Sequence, residues 1–430
     1  MLEKFFELKE NGTSVRTEVV AGVTTFLTMS YIIFVNPEIL SSTGMDRNAI
    51  FVATCIAAAF GSLIMALVAN WPVGMAPSMG LNAFFAFTIV GTLGFTWQQA
   101  LGAVFISGVV FLILTVTGVR SWLIAGIPHS MRSAIAAGIG LFLGIIALRT
   151  SGIVVPAEGT LVQLGDITQT GPLLAMLGFF IMAALDFLKV RGAILIGILV
   201  VTVLSMLLGV SQFNGIISMP PSLAPTFLQL DIMGALGGGL LQVLLVLVLV
   251  EVFDATGTLI GIAKRAGLIH DKKSGRLGKA LLADSSAIVA GALIGTSSTT
   301  AYVESASGVQ AGGRTGLTAL VIAALFLAAL FFAPIAGSVP VYATAPALLY
   351  VAGLMMRELL EVNWEDVTEA APAALTALMM PFTNSIANGL AFGFISYAVL
   401  QTLTGRPGKV HPATWLVAAL FVARFVFLSH

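Results

Sequence analysis

Three acidic residues lie deep inside apolar stretches of the sequence. Glu251 and Asp254 interrupt the run VLVLVEVFDATGTLIG, and Glu304 lies in the stretch GTSSTTAYVESASGV. A carboxylate near the middle of a bilayer costs roughly 2.5–3.5 kcal/mol on insertion scales, so such residues mark functional positions. Because burial in a low dielectric favours the neutral carboxyl group, these acids are also suited to take up and release a proton. The pattern predicts side chains that bind a polar ligand and exchange protons.

Glu251 and Asp254 differ in their sequence surroundings. Spaced three residues apart, they lie on neighbouring faces of one predicted helix. Asp254 is followed by the small polar stretch ATGT (255–258), which allows another element to approach closely. Glu251 is flanked by Leu and Val, and two roles remain open for it. It is either a second proton carrier or a hydrogen-bonding partner of a polar group across a helix interface.

Other acids have weaker claims to a functional role. Asp186, Asp284 and Glu369 lie near the ends of apolar runs, beside Lys189, Lys279 or predicted cytoplasmic loops. We predict that these three carboxylates lie in the membrane interface.

The sequence contains few residues that could form a metal site, a cofactor site or a catalytic site. The His residues lie in loops or at the terminus, at positions 129, 270, 411 and 430, and Cys55 is the single Cys. No metal-binding cluster is therefore expected within the membrane. The run GIGLFLG (138–144) lacks the spacing of a dinucleotide motif, and the chain contains no phosphate-binding GxxxxGK(S/T) loop. We predict no metal, no cofactor and no catalytic residues.

The composition indicates that these acids belong to a membrane protein. The chain has 430 residues, of which 58% are hydrophobic and 9% charged, and its mean hydropathy is +1.03. Soluble domains are about a quarter charged and just under half apolar, so the chain falls outside that class. The 20 Lys and Arg balance the 20 Asp and Glu, which leaves no basic excess to neutralise nucleic-acid phosphates. We predict a polytopic membrane protein without a nucleic-acid partner.

Runs of roughly 20 apolar residues, the length that crosses a bilayer, recur along the chain. They lie at 19–35, 49–69, 97–117, 130–148, 171–188, 192–209, 234–262, 279–295, 315–335, 341–357, 369–382, 385–403 and 412–428. The first run has no cleavage site and is predicted to span the membrane after an amphipathic surface segment, residues 1–17. Whether 412–428 crosses the membrane or lies in its interface stays open.

Two further segments, 74–90 and 296–309, are apolar but short and rich in Gly, Ser, Thr and Pro. We place the N-terminus in the cytoplasm and let each segment, including both short ones, cross once. Arg120 and the basic run 264–279 then fall in cytoplasmic loops together with most other Lys and Arg residues. The positive-inside rule thus favours about fourteen crossings, and the unassigned run 412–428 comes in addition.

The two short segments occupy matching positions in two sets of seven crossings. Each opens with residues that disfavour a helix, Pro77 and Ser78 in one and 297–300 in the other. Each then has a polar residue where a helix would begin, Asn82 or Glu304. Because seven is odd, the two halves must be inverted relative to each other. Such paired segments are typical of a transporter binding site, although packing notches between helices are the alternative.

The irregular backbone of these segments must find hydrogen-bond partners away from lipid. We therefore predict that the two extended stretches pair near the middle of the membrane. The half-helices that follow would present their N-terminal N–H groups to an electron-rich ligand.

Four longer stretches resemble a known family. They are RTEVVAGVTTFLTMSYIIFVNP (16–37), APSMGLNAFFAF (76–87), FDATGTLIG (253–261) and GTSSTTAYVESASGVQAGGRTGLTA (295–319). These stretches are similar to the AzgA-like purine permeases, a branch of the nucleobase–cation symporter-2 (xanthine/uracil permease) family. The resemblance extends from about residue 3 to the C-terminus.

This resemblance implies an all-α polytopic fold with about fourteen transmembrane segments in two inverted seven-helix repeats. It also implies UraA-like core and gate domains, with broken helices 3 and 10. The core domain would comprise residues 1–127 and 230–338, and the gate domain 128–229 and 339–430, including the unassigned C-terminal run. The expected protein is a multi-pass permease of the inner or plasma membrane with a cytoplasmic N-terminus. It would take up a nucleobase together with protons by alternating access, and a homodimer is a family expectation.

The resemblance also assigns site residues. Asn82, Asp254 and Glu304 match the family's substrate-contacting positions, and Asp254 and Glu304 are the candidates for proton coupling. Thr258 occupies the position of a His in uracil-type relatives, and Asp254 that of a Glu, which favours a purine substrate. Adenine and hypoxanthine/guanine remain equal alternatives, since GLNAFFAF is similar to adenine permeases and FDATGT to guanine/hypoxanthine ones.

Other functions are weaker alternatives. One is a xanthine- or uracil-type permease. Another is an anion transporter on the same scaffold, which would need a fixed cation near the half-helix ends, yet neither short segment contains Lys or Arg. A membrane-embedded enzyme would need a nucleophile–base pair or metal ligands at membrane depth.

Overall fold

The computed structural model describes residues 2–237, 240–268 and 275–427, except for the side chains at 121, 125, 240–242, 253, 254, 275 and 427. In the first half the helices are α1 (Leu2–Phe5), α2 (Val15–Met29), α3 (Ile32–Ser41), α4 (Arg47–Ile64), α5 (Met79–Ala83), α6 (Trp97–Val116), α7 (Val119–Ala125), α8 (His129–Thr150), α9 (Thr170–Phe187) and α10 (Ala193–Leu207). In the second half they are α11 (Ile232–Leu236), α12 (Leu240–Arg265), α13 (Gly275–Ile294), α14 (Ser305–Gln310), α15 (Gly316–Ala329), α16 (Ala333–Ser338), α17 (Val341–Met355), α18 (Val367–Phe382), α19 (Ile386–Leu403) and α20 (Pro412–Phe427).

Several helices have extensions of a different helical form, and four short strands interrupt the helical pattern. The π-helices Met65–Ala69 and Phe84–Thr92 continue α4 and α5, and the 3₁₀ turns are Leu330–Phe332, Met356–Glu361 and Pro407–Lys409. The strands are β1 (Met75–Pro77), β2 (Val154–Ala157), β3 (Leu161–Leu164) and β4 (Thr299–Ala301). β1 pairs with β4, whereas β2 and β3 form a hairpin between α8 and α9.

The helices agree with the predicted spans. Among the described residues, ten helices are long and apolar enough to cross a membrane, and four shorter apolar helices accompany them. Each of the long apolar runs in the sequence, including 412–428, contains one of these fourteen helices. The prediction of a polytopic helical membrane protein is therefore confirmed.

The structure corrects two details near the N-terminus. The predicted first span is divided into α2 and α3 at Ser30 and Tyr31. Residues 1–17 were expected to lie at the membrane surface, but Phe6 and Leu8 are buried against Leu317. The apolar face of this segment is thus covered by protein because the start of α15 lies beside it.

A buried acid joins the first helix to the second half of the chain. Glu18 on α2 is fully buried and accepts hydrogen bonds from the backbone N–H groups of Arg314, Thr315 and Thr318, at 2.9, 3.2 and 3.2 Å. A carboxylate at a helix N-terminus satisfies free donors and complements the helix dipole. Glu18 therefore fixes the start of α15 against α2.

The helices associate in two sets. α15 packs on α2 and α4, and α13 packs on α4 and α6. Elsewhere α8 packs on α17 and α18, and α17 packs on α9 and α10. The broken segments lie between helices of the first set.

Glycines allow both half-helices to approach their neighbours closely. A Cβ atom at Gly80 on α5 would lie 2.6 Å from Ile139 on α8. At Gly308 on α14 it would lie 2.1 Å from the hydroxyl of Thr25 and 2.7 Å from the backbone oxygen of Ala21. Since real Cβ atoms need more room, these positions require Gly.

Candidate binding site

The two interrupted segments meet as a pair of antiparallel strands. Met75 lies opposite Ala301, Ala76 opposite Thr300, and Pro77 opposite Thr299. All six residues are buried. The predicted pairing of the two segments is therefore confirmed.

Further hydrogen bonds extend this strand pair at both ends. Ser78 donates its N–H to the carbonyl of Ser298 at 2.8 Å, and Tyr302 donates its N–H to Gly74 at 3.0 Å. The Tyr302 hydroxyl also donates to the carbonyl of Pro77 at 2.6 Å. The irregular backbone is thus satisfied inside the protein, as a membrane-embedded segment requires.

Asn82 joins the two segments through its side chain. It is fully buried, and its Oδ1 accepts a hydrogen bond from the Ser297 hydroxyl. Within the described part of the chain its Nδ2 has no hydrogen-bond partner. An unpaired buried amide is costly, so this nitrogen is available to donate to a ligand.

Glu304 is the last residue before α14 and is partly buried. The hydroxyl of Tyr31 donates to its Oε1 at 2.6 Å. Tyr31 lies at the break between α2 and α3, so the first and tenth predicted crossings meet here. No local sequence pattern indicates this contact, because the two residues are 273 positions apart.

A cavity of about 400 Å³ lies beside the strand pair. Its inner wall includes Thr256 and Thr258 from α12, Val303 and Ala306 from the α14 region, and Ser133 from α8. This volume is within the range of small-molecule sites. Charged and titratable residues lie among the rest of its lining, namely His129, Arg132, Lys264, Arg265 and Glu358.

The predicted site residues differ in their relation to this cavity. Thr258 lines it, whereas Asn82 and Glu304 are not among the described residues that do. Glu304 follows Val303, which lines the cavity directly. The backbone of Asp254 lies in α12, one turn before Thr258, but its side chain lies outside the described residues.

Glu251 is buried and makes an interhelical contact. Ser107 on α6 donates a hydrogen bond to its Oε1 at 3.2 Å. Glu251 was predicted to be either a second proton carrier or a hydrogen-bonding partner across a helix interface. This geometry favours the second role.

Asp284 was predicted to lie in the membrane interface, and the structure shows that its side chain is buried inside the protein. Asp284 is fully buried and forms an ion pair with Arg120 at 3.3 Å, although Arg120 was expected in a cytoplasmic loop. Asp284 lies nine residues after the start of α13, about 14 Å along the helix. Asp186 and Glu369 do lie in the terminal turns of α9 and α18.

The chain is similar in sequence to known permeases. The Xan_ur_permease model, described as a permease family, matches residues 16–392. The adenine permease AdeP of Escherichia coli (strain K12) is 51% identical over 430 residues, which cover 100% of this chain and 97% of that protein. The guanine/hypoxanthine permease PbuO of Bacillus subtilis (strain 168) is 43% identical, covering 98% of this chain and 100% of that protein.

A solved structure supports the architecture. The transmembrane domain of the cyanobacterial bicarbonate transporter BicA aligns with a TM-score of 0.68 at 18% sequence identity. The alignment covers 87% of this chain and 97% of that domain. At this identity the likeness establishes a shared fold and nothing about the substrate.

Proposed function

Because the chain belongs to the xanthine/uracil permease family, in its purine permease branch, we propose that it takes up purine nucleobases by proton symport. It is a multi-pass membrane permease and not an enzyme. The observation that carries the proposal is the strand pair β1–β4, which brings the Asn82 and Glu304 segments together beside a cavity lined by Thr258.

The chemistry of these residues suits a purine. The ring edge of a purine offers both N–H donors and lone-pair acceptors. Glu304 and Asp254 accept from its N–H groups, while the Asn82 Nδ2 and the Thr258 hydroxyl donate to ring acceptors. A polar group left unpaired in a buried site costs roughly 1–3 kcal/mol. A base whose donors and acceptors do not match these residues therefore binds more weakly. Adenine and hypoxanthine/guanine both remain candidates.

Proton coupling is assigned to Asp254 or Glu304. A charged site opposes movement past an apolar surface, because moving an ion into a low dielectric is costly. Protonation of one acid removes one negative charge from the loaded site and so lowers the cost of this movement. Release of the proton on the cytoplasmic side then resets the carrier.

We propose alternating access between two domains that both contribute to the lining of the cavity. Residues 1–127 and 230–338 would form the core domain, and 128–229 and 339–430 the gate domain, in two inverted repeats of seven crossings. The cavity is lined by residues of α12, of the α14 region and of α8, and we place the boundary between those two domains here. Relative movement of the two domains would close the cavity on one side of the inner membrane and open it on the other.

Orientation and assembly complete the proposal. Lys264 and Arg265, which line the cavity, belong to the basic loop that the positive-inside rule assigns to the cytoplasm. The N-terminus would be on the same side. A homodimer, as expected from the family, is part of the proposal.

A ligand panel and an uptake assay test the function. Adenine, guanine, hypoxanthine, xanthine and uracil are added separately to the purified protein, and the melting temperature is measured. We expect a purine among the first three to stabilise the protein, and its radiolabelled form to accumulate in proteoliposomes under an inward proton gradient. Stabilisation by xanthine or uracil alone would favour the other branch of the family. Displacement of the purine by chloride or sulfate would favour an anion transporter.

A further inference from the structure

Arg120 is a fully buried cation close to the cavity but not part of its lining. The side chain is 1% exposed and belongs to α7, which follows a left-handed turn at Gly118 (φ 77°). Its guanidinium carbon lies 4.1 Å from the centre of the Phe111 ring. A cation this deep requires several partners, because its desolvation is otherwise uncompensated.

The guanidinium contacts two separate helices of the site. Its Nε donates to the hydroxyl of Thr256 on α12 at 3.0 Å. On α13, its Nη1 donates to the carbonyl of Leu281 at 3.2 Å and its Nη2 to Asp284 at 3.3 Å. Since Thr256 lines the cavity, Arg120 holds one wall of the binding site from behind.

Asp284 extends this connection to the other wall. Its second oxygen, Oδ1, accepts from the Thr300 hydroxyl at 2.8 Å and from the backbone N–H of Ala301 at 3.2 Å. Both residues belong to β4, which leads within three residues to Glu304. A continuous chain of hydrogen bonds therefore runs from α12 through Arg120 and Asp284 to the strand pair.

A contribution to folding stability does not by itself explain why Arg120 and Asp284 form a buried ion pair. Replacing both members of a buried pair with apolar residues is often neutral for folding, whereas removing one leaves an unpaired buried charge. The planar guanidinium, however, fixes the directions of its donors. That rigidity sets the separation of α12 from β4, which an apolar pair would not do.

We propose that Arg120 is a positioning residue that determines substrate affinity and selectivity. Arg120 holds the α12 segment, which contains Thr258, at a fixed distance from the β4–α14 segment, which contains Glu304. Thr258 and Glu304 can then contact the same edge of the purine. This inference rests on the proposed function, since it assigns the two walls to one substrate.

A double substitution separates positioning from folding. We compare Arg120→Met with the double variant Arg120→Met/Asp284→Leu, and measure the melting temperature and the affinity for the purine that stabilises the wild-type protein. The single variant should lose much of its thermal stability because Asp284 is left unpaired. The double variant should recover most of that loss yet bind the purine at least tenfold more weakly, or with a changed order of preference among purines.

The matched control is a second Arg–Asp pair. Arg406 and Asp366 lie 3.2 Å apart in a partly exposed position, and neither lines the cavity. The corresponding Arg406→Met/Asp366→Leu variant should bind purine like the wild type. If the Arg120/Asp284 double variant also binds within twofold of the wild type, the positioning role is overturned.

Thr300→Val provides a test that does not depend on removing a charge. Valine has nearly the shape of threonine but cannot donate to Asp284. We expect a small change in melting temperature and about a threefold or greater loss of affinity; unchanged affinity would contradict the proposal. Absence of any purine response in the wild-type protein would instead count against the proposed function itself.

Discussion

Glu304 and Asp284 both have partners inside the protein, yet they are suited to different tasks. Asp284 is paired with the cation Arg120, so protonating it would leave a buried charge without its partner. The described partner of Glu304 is the neutral hydroxyl of Tyr31. A phenol can donate to a carboxylate or contact a neutral carboxyl group. We therefore keep Glu304 as a candidate proton carrier and expect Asp284 to act as a fixed anchor.

Amide substitutions at the two candidate carriers test this assignment. Glu304→Gln and Asp254→Asn remove the titrating group but keep the size of the side chain. We expect both to abolish proton-driven accumulation of radiolabelled purine in proteoliposomes. Because a glutamine oxygen still accepts from Tyr31, Glu304→Gln should retain purine binding in a thermal-shift assay.

The control for these variants is Asp186→Asn, an acid-to-amide change in the last turn of α9. It should accumulate purine like the wild type. Full accumulation by both Glu304→Gln and Asp254→Asn would show that neither acid carries the proton.

Asn82 is expected to act in selectivity. Its Oδ1 is occupied by Ser297, and its Nδ2 is the donor left for a ligand. Asn82→Ala should weaken binding of the preferred purine by about tenfold, which corresponds to roughly 1.4 kcal/mol for one buried hydrogen bond. It should also change the competition profile across purines, whereas a profile identical to that of the wild type would exclude a contact. Ser297→Ala, which keeps the amide, is the companion variant that separates direct contact from orientation.

At the scale of the elements, the pairing of β1 with β4 was predictable from the sequence. The side-chain hydrogen bonds that join this region to other elements were not. Pro77, Ser78 and the Ser/Thr run 297–300 disfavour helix locally, and matching positions in the two halves indicate that the segments meet. The side-chain partners depend on packing across the whole chain. Ser297 and Asn82 are 215 positions apart, and Arg120 and Asp284 are 164 apart, so no local pattern reveals either contact.

The half-helix α14 depends on its close approach to α2. At Gly308 a methyl group would meet the Thr25 hydroxyl at 2.1 Å and the backbone of Ala21 at 2.7 Å. The backbone cannot move aside as a side chain can, so Gly308→Ala should destabilise the protein by about 1–3 kcal/mol. It should also reduce uptake, because Glu304 lies at the start of this half-helix.

The matched control is Gly353→Ala on α17, where an added methyl group meets nothing within 4 Å. Alanine favours helix over glycine by up to about 1 kcal/mol, so this variant should melt at the same temperature as the wild type or higher. Equal melting temperatures for the Gly308 and Gly353 variants in detergent would refute the packing argument.

At the scale of the whole molecule, composition and charge predicted the class of protein, and the helix bounds follow the apolar runs closely. The N-terminal segment differs from the prediction because its apolar side chains pack against another part of the protein. A hydropathy profile of the sequence does not contain this information. Asp284 is buried because α7 and β4 contribute Arg120 and Thr300 as its partners. In both cases the missing information is the arrangement of neighbouring helices.

The two ends of α8 provide a test of orientation. Its 22 residues extend about 33 Å, roughly the thickness of the hydrocarbon core. His129 at its start lines the cavity, and the β2–β3 hairpin follows its other end. If the cavity opens to the cytoplasm, the hairpin must face the opposite side.

Single cysteines report on these two sides. Val303 is 61% exposed at the cavity, and Leu164 is 66% exposed on β3, while the native Cys55 is fully buried and should react little. A membrane-impermeant maleimide should label Val303→Cys in inside-out vesicles and Leu164→Cys in right-side-out vesicles. A saturating purine should slow labelling of Val303→Cys and leave Leu164→Cys unchanged, because only the cavity residue is covered by substrate. The reverse labelling pattern would invert the proposed topology, and labelling of both residues from one side would show that α8 does not cross the membrane.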